Sequence, residues 1–391
     1  MTNAMTHHRQ IRQELAARYS IGTRYLKLLE TELGINLDRT LMSAAEHSAP
    51  FNTADTVSFL LPQFVLNHVD ADEKRDILLL TGGLVPLDNR QYPRGFVLPG
   101  SENHTKRLNL FTKKERKTCA ILQPAVRCHE TEPQIRSFLQ AYPWLKNELT
   151  NPLDGETYAS QICRCMEIIA NRWGINHLDS RLTIRPLEDL ARILLIRLLC
   201  ENDPVIESLL FDQYSRSRVA EELQGVFCAW GRQHGSFLFW AATEKHKVER
   251  LHEDNGCLIG DSHKIPLTRD DLLRELEAKQ IWPGIFLSLL VVSFMPCLPV
   301  AGGPKQLTYY RSMIRTANRL VRVARSERLS VYGYMCVKPQ TLLPVSGGPF
   351  LRAWGTGLDI TERNIDIPYL AQQMDNILVP DPLCPPPLPY D

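Results

Sequence analysis

The stretch PCLPVAGGPKQLTYYR, residues 296–311, decides how the rest of the chain is read. It runs from an apolar, strand-like piece through a glycine pair into a helix start. Gly302 and Gly303 lack Cβ atoms and let a backbone approach a ligand closely. A helix beginning after Pro304 turns unpaired N–H groups and its positive dipole end toward an anion such as a phosphate or carboxylate. Lys305, Gln306, Tyr309 and Tyr310 supply side-chain donors around that point. The spacing is neither that of a phosphate-binding GxxxxGK[ST] loop nor GxGxxG. A tight turn between two core elements explains the same glycines and stands as the competing reading.

Upstream, Ile281 to Val300 runs twenty residues without a charge, close to the length of a membrane span. Pro283, Pro296 and Pro299 interrupt it. The unbroken apolar part, Ile285 to Met295, suits a buried helix or a helix–strand pair. Thr268 caps an expected helix from Arg269 to Lys279, with acids in its first turn. Gly235 to Trp240 reads as a strand. Lys247 to Leu258 reads as a polar hairpin region turned by Asn255-Gly256. Downstream, Leu307 to Arg325 reads as a basic helix, and its arginines read as a solvated face. Val331 to Val337 reads as a strand. Ser346-Gly347-Gly348-Pro349 repeats the GGP tripeptide, and the tail from Pro380 is proline-dense and extended.

Toward the N-terminus, His8 to Leu33 has helical spacing, with Leu15, Tyr19, Leu26 and Leu29 near one stripe and Gly34 and Asn36 as stops. Asn52 to Val69 reads as a second helix. Asp76 to Thr81 is a short apolar run ending in Gly82-Gly83, the pattern of a buried strand feeding a loop. Gly95 to Leu98 and Thr118 to Leu122 read as strands, with a polar, basic stretch from Pro99 to Lys117 between them. Helices are expected at Pro133 to Leu149, Tyr158 to Trp173, and Leu187 to Cys200 after Pro186. Strand–loop–helix units with helical flanks give an α/β protein. The expected organisation is a helical N-terminal segment (1–75), the first part of the α/β core (76–130), a helical region (131–225), the second part of the core with the Gly-Gly loop (226–375), and a Pro-rich tail (376–391).

Composition bounds the partners. Forty-five basic residues face forty-four acidic ones, so the surplus of positive charge that nucleic-acid or anionic-membrane binding draws on is absent. Neither nucleic acid nor membrane is expected as a partner. The ten cysteines are scattered, and Met1 to Gln10 is polar with no apolar signal after it. The expectation is a cytoplasmic protein with reduced cysteines. A homo-oligomer is compatible with all of this.

A second candidate site lies at residues 81–107. Gly82 and Gly83 end a strand, and ligands of open α/β sheets bind beyond the carboxyl ends of strands. The loop that follows carries Asp88, Asn89, Arg90 and Arg94, and His104, Lys106 and Arg107 come next. Arg94 and Arg107 suit paired contacts to a carboxylate or phosphate. His104 suits a general base or neutral donor. Asp88, Arg94 and His104 are the candidate catalytic groups, and a solvated loop is the competing reading. No metal site is expected. His234, Glu244, His246, His252, Cys257 and His263 match no compact zinc spacing, and Lys245, Lys247 and Arg250 lie among them.

Residues 235–311 resemble the BshC family, the cysteine ligases of bacillithiol biosynthesis. The shared order is a strand (LFW), a polar hairpin, a helix (TRDDLLRELEA), an apolar stretch with proline, and a glycine loop with an aromatic pair (AGGPKQLTYYR). Gly302, Gly303, Pro304 and Tyr309 match, while Lys305 and Gln306 replace the usual Gly-Glu. The resemblance implies a Rossmann-like core with a ligand-binding loop. It implies a biosynthetic enzyme that condenses or modifies a small amino-acid-like metabolite bearing a carboxylate or phosphate. The reaction class it implies is ligase-type, with or without nucleotide activation by ATP. Two other readings stay open. One is an acyl or aminoacyl transferase using a carrier-linked substrate, received by the basic stretch from His104 to Lys117. The other is a non-enzymatic interaction module presenting the tail CPPPLPY.

Overall fold

The computed structural model describes residues 20–34, 40–45, 76–87, 95–99, 105–172, 182–226, 238–296, 300–301, 312–313, 315–317, 319–320, 335–336 and 379–380. The first helix, α1 (Ser20–Leu33), buries Tyr25, Leu29 and Leu33, three residues at helical i, i+4 spacing. Gly34 closes it in the left-handed region at φ 63°, and its N–H donates to the Glu30 carbonyl at 2.8 Å. Strands β1 (Thr40–Ala45) and β2 (Asp76–Thr81) follow. Leu78, Leu79 and Leu80 are all buried, as expected of a strand covered on both faces.

Strands β3 (Gly95–Pro99) and β4 (Thr105–Asn109) form an antiparallel hairpin. The second of them falls in the stretch that the sequence marked only as polar and basic. The expected strand Thr118 to Leu122 forms turns instead, touching Pro86 through one isolated bridge at Cys119. The expected helix Pro133 to Leu149 is broken into α2 (Pro133–Ala141), a 3-10 turn (Pro143–Leu145) and α3 (Lys146–Thr150). The cause is Pro143. It has no N–H to continue the helix, and it forces Tyr142 out of helical dihedrals, to φ −132° and ψ 63°.

The long helix α4 (Tyr158–Arg172) then leads to β5 (Leu182–Pro186), which runs straight into α5 (Leu187–Cys200). Along α5, Leu187, Leu190, Ala191, Leu194, Leu195, Leu198 and Leu199 are buried, a continuous stripe at 3.6-residue spacing. Asn202 takes the left-handed conformation just past its end, at φ 54°. Asp203 accepts the N–H groups of Val205 and Ile206, capping α6 (Pro204–Phe211), and also accepts the Tyr25 hydroxyl. One buried carboxylate thus starts a helix and anchors α1. Asp212 caps α7 (Gln213–Glu222) in the same way.

A meander of short strands follows: β6 (Phe239–Thr243), β7 (Lys247–Arg250), β8 (His252–Asp254), β9 (Cys257–Ile259) and β10 (Lys264–Pro266). Asn255 and Gly256, at φ 48° and 71°, make the β8–β9 turn, as their types require. Helix α8 (Arg269–Glu277) starts at the Thr268 cap. Strand β11 (Ile281–Pro283) pairs back onto β6. Helix α9 (Ile285–Leu289) continues into a wide turn over Leu290–Phe294, and every residue of that turn is buried. The charge-free run is therefore core over its described part, residues 281–296. Among the described residues no helix is long and apolar enough to cross a membrane. Strand β12 is Val300–Ala301, and β13 (Met335–Cys336) pairs with β14 (Val379–Pro380).

The element that organises the chain is a parallel sheet in the order β12-β1-β2-β5. Counted from the β12 edge, its strands in chain order lie second, third, fourth and first across the sheet. Succession runs outward from β1 to β5 on one side, then switches to the other side at β12. One apolar core joins α1, β2, α5, α6, the meander and the helical residues Met313, Ala317 and Leu320. The segment 131–225, expected as a helical region, supplies both a sheet strand and the central helix.

Candidate functional site at the carboxyl edge of the parallel sheet

All four strands of the sheet point the same way, so their carboxyl ends share one edge. Thr81 at the end of β2 lies opposite Ala45 of β1 and Pro186 of β5, and Ala301 of β12 lies opposite Ser43. The chain leaves β2 through Gly82-Gly83 and leaves β5 directly into α5.

Glu188, in the first turn of α5, reaches across this edge. Its carboxylate accepts the Gly83 N–H at 2.7 Å and the Leu84 N–H at 3.3 Å, and the residue is buried. The N–H groups that a Gly-Gly loop offers to an anion are here given to an anion of the same chain. Gly83 is tightly packed. A Cβ there would sit 3.0 Å from the Ile121 Cβ and 3.4 Å from the Glu188 Oε2.

The turns at 118–123 close over the same loop. The Ile121 N–H donates to the Gly83 carbonyl (3.1 Å), the Leu87 N–H to Thr118 (2.9 Å), and the Cys119 thiol to Leu84 (3.0 Å). The Cys119 N–H in turn donates to the His246 carbonyl at 2.9 Å. This bond ties the β6–β7 turn to the loop leaving β2. Beneath the edge, the Thr81 hydroxyl lies 3.6 Å from the Cys163 sulfur on α4. Burial pushes the Cys163 thiol up to about 12, so it stays protonated and unreactive at neutral pH. Glu167, also on α4, accepts the Ile184 N–H at 2.7 Å and a guanidinium N–H of Arg185 at 3.2 Å. The floor of the edge is a set of strand ends fixed by hydrogen bonds.

Of the residues singled out from sequence, Gly82 and Gly83 stand at this edge. Lys106 and Arg107 belong to β4, in register with Leu98 and Val97. Asp88, Asn89, Arg94, His104, Gly302, Gly303, Lys305, Gln306, Tyr309 and Tyr310 lie outside the described residues. Sequence reading missed Glu188, Cys163 and the His246 carbonyl. Glu188 carried one signal, an acid two residues after a proline at a helix start. Its target became visible only with β5 beside β2. The histidine-rich hairpin region has a separate arrangement. Glu249 accepts from the Ser262 N–H, the Ser262 hydroxyl and the His263 ring nitrogen. Both side chains turn to one carboxylate, which fixes the β9–β10 turn. Among the described residues no group of three or more His, Cys, Asp or Glu side chains is placed to hold a metal ion. Set against known proteins, the chain matches no family model and no curated protein.

Proposed function

We propose that the carboxyl edge of the parallel sheet binds a small anionic metabolite, in a Rossmann-like core, and that the chain is a ligase-type biosynthetic enzyme acting on an amino-acid-like substrate. One observation carries this reading. The parallel order β12-β1-β2-β5 brings the ends of β2 and β12 to one edge, on either side of β1. The two glycine pairs, Gly82-Gly83 and Gly302-Gly303, follow those two strand ends in sequence. Ligands of open parallel sheets bind outside the carboxyl ends, where succession reverses. Here that point lies between β1 and β12. The resemblance of residues 235–311 to the cysteine-ligase family supports the reaction class.

Thermal unfolding of the full chain with ATP, free amino acids and short carboxylates tests the reading. A ligand held at about a hundred times its Kd stabilises by about 2.7 kcal/mol. The expected result is a rise in Tm with at least one of these ligands that is lost in Gly302→Val. No shift with any of them sinks the proposal.

A further inference from the structure

Two exposed turns, distant in sequence, meet beside the carboxyl edge. The first is the 3-10 turn Lys113–Glu115 with Arg116 and Lys117 after it. The second is the β6–β7 turn, Glu244 to His246, with Lys247 beginning β7. The bond from the Cys119 N–H to the His246 carbonyl joins them, two residues beyond Lys117 and between Lys245 and Lys247. Lys113, Lys114, Arg116, Lys117, Lys245 and Lys247 are all exposed. None of the six has an ion-pair partner among the described residues. Several arginines elsewhere find carboxylates: Arg164 pairs with Glu148, Arg192 with Asp189, Arg216 with Glu253 and Arg319 with Glu222. Glu115 is already engaged by the Thr112 N–H and hydroxyl, each at 2.8 Å. Six cations against two carboxylates, Glu115 and the exposed Glu244, leave these turns a net positive charge in a chain of balanced charge.

The second turn is also strained. Lys245 and His246 take φ values of 71° and 56°, where Asn or Gly sits without cost. The chain uses Asn255-Gly256 for the similar β8–β9 turn, yet keeps basic residues here. Strain retained at an exposed basic turn points to a use for the side chains. The bond to Cys119 fixes that turn relative to the first.

We infer that these two turns form one basic platform that docks an acidic protein surface. The cations are solvated and spread over two exposed turns rather than gathered at one point, an arrangement ill suited to a lone phosphate. They suit a partner that presents several carboxylates at once. A nucleic-acid backbone fits less well. It follows a basic stripe and gains from stacking on aromatic rings, whereas the platform is compact and its neighbour Phe111 is buried. The loop from Leu84 to Leu87 connects the platform to the end of β2, so a docked protein sits at the lip of the edge. A partner there can hand over a tethered group. That last step rests on the reading of the edge given above, and the docking itself does not.

Fluorescence anisotropy with the full chain tests the docking. The probes are a labelled glutamate-rich helical peptide and an oligodeoxynucleotide of equal charge. The peptide is expected to bind at low salt and to weaken as salt is raised. K113E/K114E/R116E/K117E and, separately, K245E/K247E are each expected to weaken it about tenfold or more. K27E/K264E, which reverses exposed cations elsewhere, is expected to leave it unchanged. Using both turns keeps the test decisive if one variant misfolds, and circular dichroism identifies such a case. Absence of peptide binding overturns the inference, and so does an equal loss in K27E/K264E. Tighter binding of the oligodeoxynucleotide overturns the choice of partner. Metabolite stabilisation is read in a separate assay, so failure of the edge reading and failure of the platform are distinguishable.

Discussion

Removing the Glu188 carboxylate tests the central claim about the edge, that the loop after β2 is held by an internal anion. In Glu188→Ala, the Gly83 and Leu84 N–H groups lose their acceptor inside the protein. A buried donor left unpaired costs about 1–3 kcal/mol, and two such donors set a gross cost of about 2–6 kcal/mol. Part is offset, because the carboxylate no longer has to be desolvated. The net loss expected is about 2–4 kcal/mol. With an m-value of about 3 kcal/mol/M in urea, the midpoint falls by about 1 M. Glu188→Gln separates hydrogen bonding from shape. Its carbonyl keeps the shorter bond to Gly83, but its amide group then points a donor at the Leu84 N–H. The expected loss is about half that of Ala. Sodium acetate added to Glu188→Ala supplies the missing anion and is expected to raise its stability selectively. The assay is urea unfolding followed by tryptophan fluorescence at fixed ionic strength. A Glu188→Ala midpoint indistinguishable from that of the unmodified chain refutes the reasoning. So does an acetate effect equal in both proteins.

Arg216→Ala removes a buried guanidinium that grips Glu253 through two bonds, at 2.7 and 2.6 Å, and the Leu210 carbonyl at 2.7 Å. It is expected to cost about 3 kcal/mol in the same assay, and Arg216→Lys recovers only part because it loses the paired geometry. Acid stability reports on Glu249. Burial alone raises its carboxyl, but the bonds from His263 and Ser262 outweigh that and hold it below the usual carboxylate range. The stabilisation is therefore present above the unfolded pKa and is lost as pH falls through the lower folded one. Tm measured between about pH 6 and pH 3 is expected to fall less steeply in Glu249→Gln, and parallel curves count against it. Thiol labelling followed by mass spectrometry is expected to modify Cys200, which is exposed, well before Cys128 and Cys163. Burial pushes those two thiols up to about 11 and about 12. Equal rates in the folded protein contradict their placement.

Local signals in the sequence carried the elements that their own residues mark. The Leu78-Leu79-Leu80 run before Gly82-Gly83 is β2, and Pro186 marks the start of α5. Thr268 and Asn255-Gly256 did the same for α8 and the β8–β9 turn. What escaped was non-local. Strand β5 is five residues, LTIRP, and its partner β2 lies about a hundred residues earlier. Nothing in its own pattern announces a parallel pairing. The Thr118 to Leu122 segment is apolar because it covers the Gly83 loop, and burial without pairing imitates a strand in sequence. Helix α6 was within reach, since Asp203-Pro204 is a cap followed by a proline at the first helical position. The glycine pair at the edge was legible as a loop. Its acceptor was not, because Glu188 meets Gly83 only once β2 and β5 lie side by side.

That acceptor bears on how the proposed ligand lies. Glu188 puts a negative charge at the β2–β5 side of the edge. An anionic group about 5 Å from it meets repulsion of about 3 kcal/mol at an effective dielectric of about 20. Strands lie about 4.8 Å apart, so β12 stands two strand spacings, about 10 Å, beyond β2. At that distance the repulsion falls to about half, and salt screens it further. The negative end of a substrate therefore belongs on the β12 side of β1, toward Gly302-Gly303, Lys305 and Gln306 in the sequence. An amino group is better placed toward Glu188. The two glycine pairs are thus unequal on the proposed reading. The pair after β2 is closed on a carboxylate of the chain itself, so the proposal assigns the ligand to the pair that follows β12 in sequence. Valine at Gly302 is accordingly expected to abolish metabolite binding, whereas alanine at Gly83 is expected to lower stability through its clash with Ile121.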